Sequence, residues 1–117
     1  MKKELGSWGE GIAKDYLIAK GYRIIFTNYK TKMGEIDIVA QKENVVAFVE
    51  VKTRRNDSYG KPRESVNFKK QLTYARVAEQ FLQQFNNGNN SFRFDVIEVY
   101  KSNENFKVEH IEDAFGL

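Results

Sequence analysis

An α/β fold, with one mixed β-sheet flanked by helices in the order α-β-β-β-α-β, is what the sequence predicts, and three observations carry it. Apolar residues recur at helical spacing in two segments, roughly 5–20 and 66–85. Between them lie three short runs rich in β-branched and aromatic residues, too closely spaced for anything but tight turns. A further run of the same kind follows the second helical segment, so the sheet receives strands from both sides of a helix.

The first helix is expected from about Leu5 to Lys20, where Trp8, Ile12, Ala13, Tyr16 and Leu17 form the apolar stripe and Gly21 is placed to end it. Gly6, Gly9 and Gly11 weaken its first turns by up to about 1 kcal/mol each against alanine, and close packing against a neighbour is one offsetting gain. Glu10 falls on the border of the apolar face, on a ridge with Ala13 and Leu17.

Strands are expected over Arg23 to Tyr29, Glu35 to Gln41 and Val45 to Thr53, joined as an antiparallel meander. Residues Arg54 to Glu64 hold Pro62 with Asn56, Asp57, Ser58 and Gly60, the composition of a charged loop. The second helix is placed from Val66 to Phe85, with Tyr74, Ala75, Val77, Ala78, Phe81, Leu82 and Phe85 on its apolar face. A strand from Ser91 to Tyr100 follows, and a short one near Lys107 to Ile111 closes the chain.

At 117 residues and 41% hydrophobic content there is material for one core and no more, so residues 1–117 are read as a single domain. No stretch approaches the roughly 20 apolar residues of a membrane span, and the first residues lack the apolar centre of a secretory signal, which predicts a cytoplasmic protein with no membrane partner. The absence of cysteine and the single His110 exclude thiolate zinc sites and histidine clusters. Any metal must therefore be held by oxygen. The net charge of +3 is unevenly spread: Lys52, Arg54, Arg55, Lys61, Arg63, Lys69 and Lys70 are opposed over that stretch only by Asp57 and Glu64. The centre of the chain is the side expected to face phosphate.

The third strand, Val45-Val46-Ala47-Phe48-Val49-Glu50-Val51-Lys52-Thr53, reads as central and buried until charges enter at its end. Alternation places Glu50 and Lys52 on one face, about 6.8 Å apart along the strand. In the preceding strand Asp37 sits between isoleucines. A two-residue turn at Glu43-Asn44 pairs Lys42 with Val45 and, counting back, brings Asp37 opposite Glu50, whereas a three-residue turn separates them unless a bulge restores the register.

Two carboxylates converging at a strand end suit Mg²⁺ (or Mn²⁺), which takes one or two carboxylates and completes its shell with water and phosphate oxygens. Lys52 could orient and help deprotonate an attacking water, or neutralise charge building up on a phosphate. Glu10 is a further candidate for holding the metal or its water. On the second helix Asn67, Lys70 and Gln71 share the side of Tyr74, and polar groups on a core-facing stripe need partners, which a nearby metal-bound water, the Glu50 carboxylate or a substrate phosphate would supply.

The ordered set is more specific than any one motif. Asp37 followed by Glu50-Val51-Lys52 resembles the Asp…Glu-x-Lys signature of the PD-(D/E)xK restriction-endonuclease-like superfamily, and Gly34-Glu35-Ile36-Asp37-Ile38-Val39-Ala40 with Phe48-Val49-Glu50-Val51-Lys52 resembles the YraN family in particular. That family is similar in pattern to archaeal Holliday-junction resolvases, and the match of this chain to the family extends to Gly9-Glu10, Tyr59-Gly60, Lys70-Gln71 and Arg93-Phe94-Asp95-Val96, with Ile36 standing where the superfamily's proline would be. The resemblance implies a restriction-endonuclease-like core, metal binding by Asp37 and Glu50, a catalytic role for Lys52 and a supporting one for Glu10.

The function this implies is a metal-dependent endonuclease acting on DNA, branched or structured DNA included. Arg54, Arg55, Lys61, Arg63, Asn67, Lys70 and Gln71 are its candidate nucleic-acid contacts, and a homodimer fits symmetric cutting of two strands. The alternative is a non-cleaving nucleic-acid-binding module with the same fold, and a third is a protein-interaction domain. Plainer readings stand beside these: Glu50 and Lys52 as a solvated ion pair, Glu10 as a surface acid, the basic run as a solvated loop. Asp95 is read as structural, without a partner at suitable spacing, and His110 carries no argument.

Overall fold

The apolar stripe predicted near the amino terminus forms α1 (Lys2–Ala19), and the chain turns at Gly21, whose φ of 97° is open to glycine and strained for other residues. The computed structural model describes residues 2–55, 66–85 and 90–116, without the side chains of 2 and 3. Within them follow β1 (Arg23–Thr31), β2 (Gly34–Lys42), β3 (Val45–Arg55), α2 (Phe68–Phe85), β4 (Ser91–Ser102) and β5 (Asn105–Phe115). The last strand has 11 residues where a short one was expected. It is held along nearly its whole length by antiparallel pairing with β4, from Ser102↔Asn105 to Phe94↔Phe115.

The five strands lie side by side in sequence order. β1, β2 and β3 are the expected antiparallel meander, while β4 runs parallel to β3 because α2 carries the chain back across the sheet. This five-stranded mixed sheet with two helices is compatible with a restriction-endonuclease-like core. Arg54 and Arg55, assigned from sequence to the charged loop, instead belong to β3. Parallel pairing with Tyr100 and Lys101 of β4 continues the strand past the point where its own apolar pattern stops. Among the described residues no helix is long and apolar enough to cross a membrane.

Each sheet face carries its own core. Ala13 and Leu17 of α1 meet Ile38, Ala40, Ala47, Val49, Ile97 and Val99 on one face. Tyr74, Val77, Ala78 and Phe81 of α2 meet Ile36, Val39, Val46, Phe48 and Phe94 on the other. Strand alternation sorts most of these residues, since Ala47 and Val49 face α1 while Val46 and Phe48 face α2. It fails at the level of Asp37. Ile36 and Val39 are three residues apart yet both join the α2 side, as do Phe26 and Tyr29 on the neighbouring strand. Between those pairs stand Asp37 and Asn28, and Asn28 has a left-handed φ of 53°, which asparagine tolerates better than most residues. The pleat is therefore broken at the position of the candidate acid.

On the α1 face the buried Asp95 has partners that sequence spacing did not reveal. Its carboxylate accepts from Arg93 Nε at 2.9 Å and from the Asp113 backbone N–H at 3.0 Å, and lies 2.8 Å from His110 Nε2. The other ring nitrogen of His110 is 3.2 Å from the Tyr16 hydroxyl, and Arg93 also meets Tyr22 and Glu112. Burial alone would raise the Asp95 pKa, but the hydrogen bonds from His110 and Arg93 outweigh it and hold the carboxyl below its usual range. The cluster ties α1, β4 and the far end of β5 together, which supports its structural reading.

One of the three weak glycines in α1 is explained by packing. A Cβ on Gly9 would lie 2.9 Å from the Thr53 Cβ of β3, whereas one on Gly6 or Gly11 would meet nothing within 4 Å. Gly9 thus lets the helix touch the end of β3, where the candidate site begins. Gly9→Ala is expected to lower stability by about 1–3 kcal/mol through overpacking, and Gly11→Ala to raise it by up to about 1 kcal/mol through helix propensity. Thermal unfolding of the two variants measures both, and equal shifts of the same sign would contradict the packing assignment.

Candidate metal and nucleic-acid site

The turn at Glu43-Asn44 sets Lys42 opposite Val45, and the pairing runs back through Gln41↔Val46 and Val39↔Phe48 to Ile38↔Val49, where it stops. In that register Asp37 and Glu50 come next, on the α2 side. Instead of forming another backbone rung, the Asp37 carboxylate accepts from the Val51 N–H at 2.8 Å. The strands part at this point, and the gap is the candidate site.

Glu50, 5% exposed, points into it. Its Oε1 accepts from the Tyr74 hydroxyl at 2.5 Å, and its Oε2 lies 2.7 Å from Lys70 Nζ. The same Tyr74 oxygen is 3.4 Å from the Asp37 N–H, so one phenol bridges both acid-bearing strands from α2. Burial, together with the charges of Asp37 and Glu50, raises the Tyr74 pKa and keeps the hydroxyl a donor. Burial would lower the Lys70 pKa, but the hydrogen bond and charge of Glu50 outweigh it, so the ammonium stays charged.

Asp37 is in the opposite position. Burial raises its pKa first, the neighbouring Glu50 charge adds to this, and the Val51 hydrogen bond only partly offsets them, so it is pushed up from 3.8 to about 8. A half-buried carboxylate set beside another with too little positive charge around it is a place where a cation would be stabilised.

Glu50, Lys52, Thr53 and Arg54 of β3 line a cleft of about 420 Å³ with Val66, Asn67 and Lys70. The pleat puts Glu50, Lys52 and Arg54 on the same face, one after the next. Glu10 lies at the edge and does not join the acidic pair directly. Its Oε1 accepts from the Asn28 amide at 3.1 Å, the same amide donates to Glu35 at 3.0 Å, and the Glu10 charge still reaches Asp37 as a small upward push. Among the described residues, no three His, Cys, Asp or Glu side chains converge closely enough to hold a metal between them. The pair Asp37 and Glu50 is brought together; the trio with Glu10 is not.

The candidate nucleic-acid contacts divide. Lys70 and Arg54 line the cleft, and Arg55 is exposed at the end of β3. Asn67 caps α2, its Oδ1 accepting the Lys70 N–H at 2.8 Å, and Gln71 Nε2 donates to the Val66 carbonyl at 2.7 Å, so both side chains are engaged in starting the helix. Lys61 and Arg63, like Tyr59-Gly60, lie outside the described residues.

A protein-family model described as "Uncharacterised protein family UPF0102" matches residues 9–99, which include Glu10, both acids, Lys52 and the whole of α2. The chain belongs to the UPF0102 family. A UPF0102 protein of Alkaliphilus metalliredigens is 52% identical over 115 residues, covering 98% of this chain and 100% of the relative. Those of Alkaliphilus oremlandii and Clostridium beijerinckii are each 47% identical, over 98% and 100% of this chain and 100% and 97% of their own lengths. The similarity of this UPF0102 chain to its relatives is thus end to end rather than confined to the acidic motif.

Three residues at the site were not singled out from sequence. Tyr74 was placed on the apolar face of α2 as a core residue, and only its hydroxyl, which a buried tyrosine must satisfy, hinted at a polar partner. Asn28 and Glu35 carry no periodic signal, and it is the Asn28 amide, beside the broken pleat, that links Glu35 to Glu10.

The Asp37 shift has a consequence for stability. A group whose pKa is higher folded than unfolded makes the folded chain bind more protons, so stability falls as pH rises from 3.8 to about 8. Asp37→Asn keeps an acceptor for Val51 while removing the charge. In chelator at pH 8 it is expected to melt about 4–8 °C or more above the unsubstituted chain, with the gap closing toward pH 4. A gap independent of pH would contradict the assignment.

Proposed function

We propose that this UPF0102 chain is a Mg²⁺- or Mn²⁺-dependent endonuclease acting on DNA, with branched or structured DNA among its substrates. The observation that carries the reading is the parted strand end, where the buried Glu50 lines a polar cleft with Lys52, Arg54 and Lys70 and has the raised Asp37 carboxyl beside it. The donor set is hard oxygen, and two carboxylates are what Mg²⁺ takes from a protein when substrate and water supply the rest. The similarity of the Asp…Glu-x-Lys order to PD-(D/E)xK nucleases points the same way.

In this reading Asp37 and Glu50 hold the ion, which when bound supplies Lewis-acid polarisation of a phosphodiester. The remaining work falls to the chain. Lys52 faces the same cleft from the next position on the strand face, placed to orient the attacking water or to stabilise the charge that develops on the phosphate. Lys70 holds Glu50 in place and lends its ammonium to the phosphate side of the cleft. Tyr74 fixes the Glu50 carboxylate from beneath, and Glu10 supports the site from α1 through Asn28. Cutting two strands symmetrically would take a homodimer, since it needs two such sites related by a two-fold axis.

One observation favours a second reading, a nucleic-acid-binding module that does not cut. Glu50 is already satisfied by Tyr74 and Lys70, and the third acid stands apart, so the site holds together through protein groups alone. A cleavage assay separates the two. With Mg²⁺ or Mn²⁺ on labelled linear, flapped and four-way DNA, the nuclease reading expects metal-dependent cutting that falls by at least about a hundredfold in Asp37→Ala, Glu50→Ala and Lys52→Ala, the scale of losing one main stabiliser of transition-state charge. Binding without cutting, unchanged in the three variants, would establish the module instead.

A further inference from the structure

Glu98 is fully buried on β4, and the mechanism above does not use it. It stands beside Lys52 in the parallel register of β3 and β4, and the next pair on that face is Arg54 with Tyr100. Its Oε1 accepts from the Tyr100 hydroxyl at 2.7 Å, and its Oε2, out of reach of water and without a hydrogen bond, lies 3.5 Å from Arg54 Nε. Burial and the Glu98 hydrogen bond raise the Tyr100 pKa to about 12, so the phenol remains a donor. Arg54 itself is 19% exposed and lines the cleft that holds Glu50, Lys52 and Lys70.

A buried ion pair gives little net stability over an apolar pair of the same size, which leaves the geometry it imposes as its more substantial effect. A guanidinium has five N–H donors, and the Glu98 carboxylate, 3.5 Å from an Arg54 Nε that makes no hydrogen bond to it, holds the planar group against β4 as an ion pair. Glu50, Lys52 and Arg54 follow one another along the strand at about 6.6 Å intervals, so Arg54 lies two steps from the acidic pair along the cleft wall. We propose that Glu98, braced by Tyr100, is a positioning residue that fixes Arg54 as the seat for a DNA backbone phosphate flanking the one at Asp37 and Glu50. This rests on the nucleic-acid reading above and holds whether or not the chain cuts.

The test turns on a sign. Glu98→Gln removes one negative charge from the chain, so an electrostatic or purely structural role predicts DNA binding that is unchanged or tighter. Positioning predicts the reverse. Binding of a fluorescein-labelled duplex and a four-way DNA junction would be followed by anisotropy from about 50 to 200 mM salt, where each phosphate contact contributes a slope of about 0.9 in log K against log salt. Glu98→Gln and Arg54→Ala are each expected to weaken binding at least about tenfold, the scale of one charged hydrogen bond, and to flatten the slope by about 0.9. The double variant is expected to be no weaker than Arg54→Ala alone.

Tyr100→Phe, which removes the hydroxyl that braces Glu98, is expected to weaken binding in the same direction by less, and it carries the test if Glu98→Gln does not fold. Unchanged or tighter binding by a folded Glu98→Gln, or by Tyr100→Phe in its place, overturns the positioning role while leaving the nucleic-acid reading intact. Failure of the unsubstituted chain to bind either DNA overturns both.

Discussion

Where β2 leaves β3 after Ile38 and Val49, the Val51 N–H takes the Asp37 carboxylate at 2.8 Å instead of another backbone rung. That exchange sets a second acid beside the buried Glu50, and the surroundings follow from having both there. Removing ionised carboxylates from water costs several kcal/mol each unless they are paired and hydrogen-bonded. Tyr74 and Lys70 meet that cost for Glu50 from α2. For Asp37 the Val51 N–H, among the described residues, meets it only in part, and the carboxyl is pushed up to about 8. The left-handed Asn28 and the broken pleat on β1 are the backbone's accommodation to the same parting of strands.

A comparison within the molecule shows how unusual this is. Asp95 is more deeply buried than Asp37, yet its pKa is lowered, because Arg93, His110 and the Asp113 N–H surround it with donors. Asp37 is raised because burial is joined by the charge of a second acid, Glu50, and only the Val51 hydrogen bond works against them. The same residue type, in one sheet, is fully compensated on the face that anchors β5 and under-compensated on the face that opens into the cleft. Local stability is better served by the first arrangement. The second is what a site for a cation and a phosphate requires.

Much of this was legible in the sequence because it rests on local rules. The period of α2, the run of β-branched residues in β3 and the two-residue turn at Glu43-Asn44 fix elements and register, and the register brings Asp37 to the level of Glu50. What escaped notice is non-local. Asp95 and His110 are 15 residues apart and meet only because β5 folds back on β4. Arg54 looked like the start of a loop because its own neighbours are polar and turn-forming, whereas its strand conformation is imposed by Tyr100 on the adjacent strand. Tyr74 and Glu98 were hidden for a related reason. Each lies in an apolar run, and a polar atom buried there acquires its meaning from a partner on another element.

The central claim is that Asp37 and Glu50 form a pair that a divalent cation would complete, and the most direct test is calorimetric titration of the chain with Mg²⁺ and Mn²⁺ at pH 7 in buffers of different ionisation enthalpy. A carboxylate must be deprotonated to act as a ligand, so a group titrating near 8 gives up its proton when the ion arrives. The account predicts saturable binding accompanied by release of about one proton, with both lost in Asp37→Asn. Absence of binding, or binding with no proton released and no dependence on Asp37, would contradict it.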